Sequence, residues 1–164
     1  MSGGPSVSAR ASLVADPKRI ALRAALPDDL GRLGEWNAAL IRDEGHDNSL
    51  SVEQLTGRMR DWLSGDYHAR IFVCEHSDAG YVLYRDLPEF IHLRQFFVLP
   101  ERRRRGIGGA ALRALRENAF PRGKRILVEA MVWNAPALAF WRASGFGERY
   151  VGLQYPPSDR VSRP

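Results

Sequence analysis

Arginines and glycines are concentrated in the segment 98–109, which reads VLPERRRRGIGG. A strand-like apolar run ends at Pro100 and a helical repeat of apolar residues follows from Ile107, so the segment predicts a strand-to-helix junction. The N-terminus of a helix presents unpaired backbone N–H groups, and glycines there let an anion approach them closely. Arginines add positive charge around such a site. The segment therefore predicts a site for a phosphate or pyrophosphate group.

The positive charge of the chain is local. Segment 98–125 holds nine basic and two acidic residues, whereas segment 28–66 holds nine acidic and four basic ones. A surface that follows a nucleic-acid backbone usually spreads its cations along one face. A compact basic site beside glycines is more typical of one small, strongly anionic ligand, and nucleic-acid binding through residues 102–105 is the alternative.

Spacing alone leaves the type of phosphate loop open. A Walker loop ends in Gly-Lys-Ser/Thr, which Gly-Gly-Ala at positions 108–110 does not match. The dinucleotide fingerprint fits Gly106 and Gly108, tolerates Ala111 at its third position, and expects an acid about twenty residues on, where Glu129 lies. A solvated surface turn is the third interpretation.

A second motif lies 26 positions after Gly108, which leaves room for a helix, a turn and a strand. Residues 134–146 read N-x-x-A-x-x-F-W-x-x-x-G-F, and residues 98–108 read V-x-P-x-x-R-x-x-G-x-G. In this order the two motifs resemble the GCN5-related N-acetyltransferase (GNAT) family, over about residues 20–155. The resemblance implies a mixed sheet with two splayed central strands and acetyl-CoA between them, without a metal.

The resemblance also implies site residues. The loop residues that would bind the CoA pyrophosphate are Arg103, Arg104, Arg105, Gly106, Ile107, Gly108 and Gly109. Backbone groups of Phe97 and Val98 would pair with the pantetheine arm, and one N–H, which we assign to Val98, would polarise the thioester carbonyl as an oxyanion donor. The second motif would contact the cofactor through Asn134, Ala137, Phe140 and Trp141.

Acetyl transfer to an amine needs a neutral nucleophile and a route for its proton. The family usually places a tyrosine acid where this chain has Trp141, whose indole N–H cannot deliver a proton. A thiol titrates near about 8.5, so a CoA thiolate leaves without much help. Trp141 then packs against CoA, shapes the acceptor pocket or is a core aromatic residue.

Several residues are candidates for the general base. His92 lies on the strand that leads into the phosphate loop, and an imidazole has a suitable pKa. Glu44 and His46 lie in the polar break between the first two helices, where they are better suited to binding a cationic acceptor. Glu129 is a further candidate, and Gln95 is a candidate for orienting water.

The acceptor is expected to be a primary amine on a cationic small molecule or a protein. The acidic segment 28–66 favours a cation, and four aromatic residues are candidates for lining its pocket: Trp36, Trp62, Tyr84 and Phe96. Cys74 lies within an apolar strand-like run, so we expect an inert buried thiol and direct transfer in a ternary complex. A non-catalytic acyl-CoA sensor on the same fold is the alternative.

The 164 residues are expected to form one α/β domain over 19–155, between a flexible leader (1–18) and a tail (156–164). The predicted order is β-αα-βββ-α-β-α-β, with helices on both faces of a mixed sheet. Its last two strands are predicted over 126–132 and 146–155, and a hairpin turn over 77–80. One cysteine excludes a disulfide framework. The absence of a signal or membrane-spanning pattern predicts a cytoplasmic protein without membrane partners. The family resemblance implies a homodimer, since dimers are common in that family.

Overall fold

The computed structural model describes residues 19–45 and 47–154. These residues belong to two compact units, of which the first ends at Glu129 and the second begins at Ala130, and each is described by itself. The predicted leader and tail lie outside the described residues, as do His46 and Tyr155.

The described secondary structure follows the predicted order except at its end. The first unit contains β1 (Ala21–Ala24), α1 (Leu30–Glu44), α2 (Val52–Ser64), β2 (Tyr67–Cys74), β3 (Ser77–Asp86), β4 (Phe90–Val98), α3 (Ile107–Asn118) and β5 (Arg125–Val128), with 3-10 turns at Pro27–Asp29 and Pro100–Arg102. The second unit contains α4 (Ala135–Ala143).

The five strands form one mixed sheet in the order β1-β2-β3-β4-β5. Neighbouring strands are antiparallel except for β4 and β5, which are parallel. Pairing of β4 with β5 stops at Leu93↔Val128, so residues 94–98 of β4 continue beyond it. This mixed α/β sheet confirms the predicted fold class.

Apolar side chains cover both faces of the sheet. On one face, α1 and α2 close a core that includes Leu33, Trp36, Met59, Ile71, Tyr81, Leu83 and Phe97. Because side chains alternate along a strand, Tyr84 lies on the other face, where its ring packs edge-on against Phe120 just after α3. The sheet thus separates two apolar layers, and the α1–α2 layer also holds the polar residues described below.

Local signals at the helix starts are confirmed where they involve near neighbours. Ser51 caps α2, since its Oγ accepts from the Gln54 backbone N–H at 3.2 Å and its own N–H donates to Gln54 Oε1 at 2.9 Å. Pro27 opens the first helical segment as predicted, although as a 3-10 turn that continues into α1.

The hairpin between β2 and β3 turns earlier than predicted. Its turn residues are Glu75 and His76, with φ values of 51° and 64°, and the predicted turn residues 77–80 belong to β3. Gly80 serves close packing instead. A Cβ at this position would lie 2.0 Å from the Phe97 carbonyl oxygen and 2.9 Å from the Val98 Cα.

The end of the chain carries less strand than predicted. β5 is Arg125–Val128, so it covers only residues 126–128 of the predicted 126–132. The prediction of a last strand over 146–155 is wrong for residues 146–154, which contain none. Gly147 and Gly152 interrupt that segment, and glycine weakens a strand because it adds no side chain to pack. None of the helices in the described residues has the length and hydropathy to cross a membrane.

Candidate active site

The predicted phosphate loop lies between β4 and α3. Gly106 is the N-cap of α3 in the left-handed conformation (φ 77°), and no side chain among the described residues caps the helix. The backbone N–H groups of Ile107, Gly108 and Gly109 are therefore first-turn donors without an intrahelical acceptor. Apart from its chain neighbours and the backbone of α3, a Cβ on Gly109 would meet no atom of residues 19–45 and 47–154 within 4 Å. An open, uncapped helix N-terminus of this kind suits a phosphate group.

Two of the four loop arginines have partners within the protein. Arg102 donates to Ser77 Oγ at 2.7 Å and pairs with Glu75 at 3.5 Å, which ties the loop to the β2–β3 hairpin. Arg103 donates from Nε to the Val98 carbonyl at 2.8 Å and pairs with Asp43 at the end of α1. Arg104, in a left-handed conformation (φ 59°), and Arg105 are exposed.

The end of β4 presents backbone rather than side chains for ligand binding. The Phe97 side chain is buried in the α1–α2 core, and the Arg103 guanidinium lies 5.3 Å from its ring centre. Because pairing with β5 ends at Leu93, the edge of residues 94–98 extends beyond that strand. An extended ligand that carries amide groups can pair with an edge of this kind as an added strand does.

A β-bulge at Arg94 decides which side chains of β4 face the α1–α2 layer. Leu83 pairs with Gln95 but the next residue, Tyr84, pairs with Leu93, so Arg94 is an extra residue in β4. His92, opposite Arg85, consequently lies on the same face as Gln95, opposite Leu83. The bulge therefore brings two predicted site residues to one face of the sheet.

A chain of hydrogen bonds runs through this face. The Tyr81 hydroxyl donates to Gln95 Oε1 at 2.9 Å, and Gln95 Nε2 donates to Asn37 Oδ1 at 2.8 Å. Asn37 is fully buried in α1, and its Nδ2 has no acceptor in the described part of the chain. Burial raises the pKa of Tyr81 well above its usual value, so the phenol stays neutral. Tyr81 and Asn37 thus hold the Gln95 side-chain amide in place.

Glu44 is the last residue of α1 and not part of a loop. Helical spacing places it on the same side of α1 as Asn37, two turns away. Burial first, and then the negative charge of Glu44, raise the pKa of Tyr81. Glu44 thus lies on the side of α1 that carries Asn37, while its predicted neighbour His46 lies outside the described residues.

His92 is half-buried and lies 3.9 Å, from Nε2 to Oε2, from Glu129. Burial lowers the pKa of His92, the Glu129 carboxylate acts in the opposite direction, and the charges of Arg85 and Arg94 lower the pKa further. The imidazole is therefore neutral at neutral pH and can accept a proton. Two candidates for the base, His92 and Glu129, form one pair.

The four aromatic residues predicted to line one pocket lie on two faces of the sheet. Trp36 stacks on Tyr81 with 5.9 Å between ring centres, and Trp62 packs on Tyr67, both in the α1–α2 layer. Phe96 packs on Phe72, and Tyr84 packs on Phe120, in the opposite layer. Only the first two can face the same ligand as Gln95 and His92.

Cys74, at the end of β2, is a buried free thiol. Burial keeps a reagent or an acyl donor from the sulfur, as expected of a structural cysteine.

The second motif forms the start of α4 in the second unit. Asn134 is its N-cap and accepts a hydrogen bond from the Ala137 N–H at 3.2 Å. The Trp141 ring packs edge-on against Phe140 and Phe146, each with 4.9 Å between ring centres. These contacts explain the motif's asparagine and aromatic residues locally. The cofactor contacts predicted for Asn134, Ala137, Phe140 and Trp141 stay predictions.

Sequence reasoning missed Asn37 and Tyr81. Tyr81 reads as one more apolar strand residue and Asn37 as an exposed helix residue, because their meeting with Gln95 depends on contacts 14 and 58 residues apart. A single asparagine within the apolar stripe of α1 was the available signal, since buried amides need partners.

Comparison with known proteins shows which family the chain belongs to. Residues 36–146 match the model of the acetyltransferase (GNAT) family. Comparison with curated protein sequences finds no match. The chain belongs to the GNAT acetyltransferase family, which confirms the resemblance stated from the two motifs.

Solved structures of acetyltransferases share the fold. An aminoglycoside N-acetyltransferase in complex with CoA is 16% identical with a TM-score of 0.67, and the alignment covers 89% of this chain and 99% of that one. The same enzyme with a CoA-based bisubstrate analog gives 16% and 0.66, with 85% and 98% covered. An acetyltransferase from Thermus thermophilus gives 22% and 0.65, with 81% and 88% covered.

Proposed function

We propose that the protein is an acetyl-CoA-dependent N-acetyltransferase that transfers the acetyl group to a primary amine. The observation that carries the proposal is the uncapped N-terminus of α3, with Gly106, Gly108 and Gly109, directly after a strand whose edge continues beyond its neighbour. The first feature suits the pyrophosphate of CoA and the second suits its pantetheine arm. Membership of the GNAT family and the CoA complexes of a structural neighbour support it.

The reaction would proceed by direct attack in a ternary complex. The neutral amine nitrogen forms a bond to the thioester carbonyl carbon, the C–S bond then breaks, and CoA leaves as the thiolate. In this proposal the Val98 N–H donates to the carbonyl oxygen as negative charge develops there, which stabilises the transition state. The buried, free Cys74 supports direct transfer rather than an acyl-enzyme.

The surplus proton of the amine would pass to His92. Its pKa, lowered by burial, keeps the imidazole ready to accept a proton at neutral pH, and Glu129 lies 3.9 Å away to stabilise the charged form. Glu44 is the second candidate, since it ends α1 on the side of that helix that carries Asn37.

Two other functions have weaker support. A non-catalytic acyl-CoA sensor remains an alternative because Trp141 stands where the family has its tyrosine. Nucleic-acid binding by the arginine run is disfavoured, because Arg102 and Arg103 are engaged with Ser77, Glu75 and Asp43 and do not continue an exposed basic face.

The first experiment is calorimetric titration of the purified chain with acetyl-CoA, beside Gly108→Glu and the surface control Glu101→Gln. We expect micromolar binding that Gly108→Glu abolishes, since a carboxylate would occupy the anion site, and that Glu101→Gln retains. Release of CoA when amines are added then separates the transferase from the sensor. A folded wild-type chain that binds no acetyl-CoA would contradict both, and a steeply salt-dependent affinity for oligonucleotides would favour the third function.

A further inference from the structure

Three arginines gather around two aromatic rings on the face of the sheet that carries His92 and Gln95. The guanidinium carbons of Arg58 and Arg94 lie 4.7 and 4.8 Å from the Trp62 ring centre. Arg94 also lies 6.0 Å, and Arg85 4.9 Å, from the Tyr67 ring centre. We call these five side chains, from α2, β2, β3 and β4, the arginine–aromatic cluster.

The positive charge of this cluster is poorly balanced by the protein itself. Within the described part of the chain its one acidic ion-pair partner is Asp66, which lies 3.4 Å from Arg85 and is mostly exposed. Neither Arg58 nor Arg94 has an ion pair within residues 19–45 and 47–154. Burial and the charge of Arg94 both lower the pKa of Arg58, as expected for cations that repel each other.

Stacking on aromatic rings explains only part of this arrangement. Cation–π contacts stabilise guanidinium groups against ring faces. They do not satisfy the Nε–H groups of Arg58 and Arg85, which are both buried and have no acceptor in the described structure. Buried donors without acceptors are rare in native proteins, and a ligand that carries acceptor oxygens would satisfy them. An anion beside three guanidinium groups is such a ligand.

The cluster lies where an acceptor would sit. Arg94 is the bulge residue of β4, directly before Gln95 and two residues after His92, at the point where β5 stops pairing with β4. Arg85 is opposite His92 in the sheet register. By contrast, three acidic residues of the segment 28–66 already pair with arginines: Asp29 with Arg23, Asp43 with Arg103, and Asp66 with Arg85.

We infer that the acceptor carries an anionic group, a carboxylate or a phosphate, as well as its amine, and that Arg58, Arg85 and Arg94 bind that group. Guanidinium groups bind both anions through paired, charge-assisted hydrogen bonds. This inference rests on the proposed transferase function. It replaces the cationic acceptor expected from the acidic segment 28–66 with an amine that also carries a negative charge. The same positive field disfavours the ammonium form of an amine held nearby, which favours the reactive neutral form.

The test compares matched amines in a CoA-release assay with saturating acetyl-CoA. β-Alanine is paired with β-alaninamide, and phosphoethanolamine with ethanolamine, so that each pair differs mainly in the anionic group. Spermidine represents a purely cationic acceptor. We expect the anionic member of at least one pair to have a kcat/KM about tenfold or more above its uncharged partner. The pair that shows it distinguishes carboxylate from phosphate.

Variants then assign the effect to the cluster. Arg94→Gln and Arg85→Gln should raise KM for the anionic acceptor about tenfold or more, with kcat less affected, and change the uncharged partner less than about twofold. Arg60→Gln removes the same charge from the exposed side of α2 and should have no effect. Arg94 is exposed, so its replacement is the safer one for folding, which circular dichroism and acetyl-CoA titration verify.

Equilibrium binding keeps this inference separate from the proposed function. Titrating the two matched pairs of amines into the CoA-bound chain should show tighter binding of an anionic amine to the wild type than to Arg94→Gln. Absence of turnover with every amine would overturn the transferase function, while this titration still decides on the cluster. Equal binding of charged and uncharged partners, or a variant that weakens both equally, would overturn the inference.

Discussion

The guanidinium of Arg103, in the phosphate loop, pairs with the carboxylate of Asp43, sixty residues earlier at the end of α1. The same guanidinium donates to the Val98 carbonyl at the end of β4. One side chain therefore connects the proposed cofactor loop, the strand that precedes it and the helix that ends at Glu44. We therefore expect a change of charge at Asp43 in α1 to alter the affinity of the loop for phosphate groups.

Asp43→Asn is expected to tighten acetyl-CoA binding several-fold. The substitution removes a negative charge near the proposed pyrophosphate site and leaves the full charge of Arg103 available to the phosphates. The pair is about four-tenths exposed on each side, so its loss should change the free energy of unfolding by less than about 1 kcal/mol. Calorimetric titration and urea unfolding measure the two quantities, with Asp47→Asn as control. Weaker binding would show instead that the ion pair orders the loop.

The pH dependence of kcat/KM tests His92 as the base. Because the pKa of His92 lies below its usual value, activity should stay high at neutral pH and fall only as the pH drops through that lowered pKa. Glu129→Gln removes the charge that raises this pKa, so the acidic limb should move to still lower pH. His92→Gln should lower kcat by about 100-fold or more and remove this limb.

His68→Gln is the matched control for this profile, since His68 packs on Tyr84 in the opposite layer of the sheet. It should leave both the rate and the profile unchanged. If Glu129→Gln moved the limb toward higher pH, the assignment of that limb to His92 would be wrong, and Glu44→Gln would be the next variant to measure.

Gly80→Ala should disturb the end of β4. The added methyl group would overlap the Phe97 carbonyl, and the φ of 150° at this position disfavours a residue with a Cβ. We expect a loss of about 2 kcal/mol or more in the free energy of unfolding, with acetyl-CoA binding weakened about tenfold. Gly31→Ala, in open space on α1, is the control and should be neutral or slightly stabilising. Unchanged acetyl-CoA affinity in a folded Gly80→Ala variant would contradict the proposed role of this strand end.

Asp29 should stabilise the fold in a pH-dependent way. Arg23 donates to both of its carboxylate oxygens, at 2.7 and 2.9 Å, and the Leu26 N–H donates a third hydrogen bond. These donors lower the pKa of Asp29 from 3.8 to about 2. The stabilisation is therefore complete above pH 3.8 and is lost as the pH falls toward 2, and it amounts to about 2 kcal/mol at neutral pH.

Urea unfolding of Asp29→Asn measures this contribution, with the exposed neighbour Asp28→Asn as control. The deficit of Asp29→Asn relative to wild type should be largest at pH 7 and shrink at pH 3. If the loss in the free energy of unfolding does not change with pH, then packing of the Asp29 side chain, and not its ionised carboxylate, stabilises the fold at this position.

The parts of the fold that could be predicted from the sequence depend on near neighbours. The Ser51–Gln54 cap needs residues three apart, and the phosphate loop needs only a strand end, glycines and a helix start. The predicted position of the hairpin turn is wrong because glycine is typical of turns. At Gly80 the absence of a side chain instead lets the backbone of Phe97 in β4, 17 residues later, pack closely against β3. The prediction that Tyr84 and Phe96 line one pocket with Trp36 is wrong, because only the sheet register shows which face of the sheet a side chain lies on.

The candidate site divides in the same way. A local motif predicts that Val98 and the loop glycines belong to the site. The family resemblance adds the prediction that their ligand is acetyl-CoA. The chain of Tyr81, Gln95 and Asn37 and the arginine–aromatic cluster form only when α1, α2 and three strands meet. Charge counting along the sequence predicted an acidic acceptor side, but folding pairs Asp29 and Asp43 with arginines and brings Arg58, Arg85 and Arg94 together.

The extra residue at Arg94 also sets how β4 tolerates change in length. Up to Leu93 the even-numbered positions face α1 and α2, and from Gln95 onward the odd-numbered ones do. Deleting one residue here would place His92 and Gln95 on opposite faces of the sheet. One of these two polar side chains would then lie in the opposite apolar layer. A substitution therefore changes the chemistry of β4 at one position only. A deletion of one residue would move all side chains on one side of the deletion to the other face of the sheet.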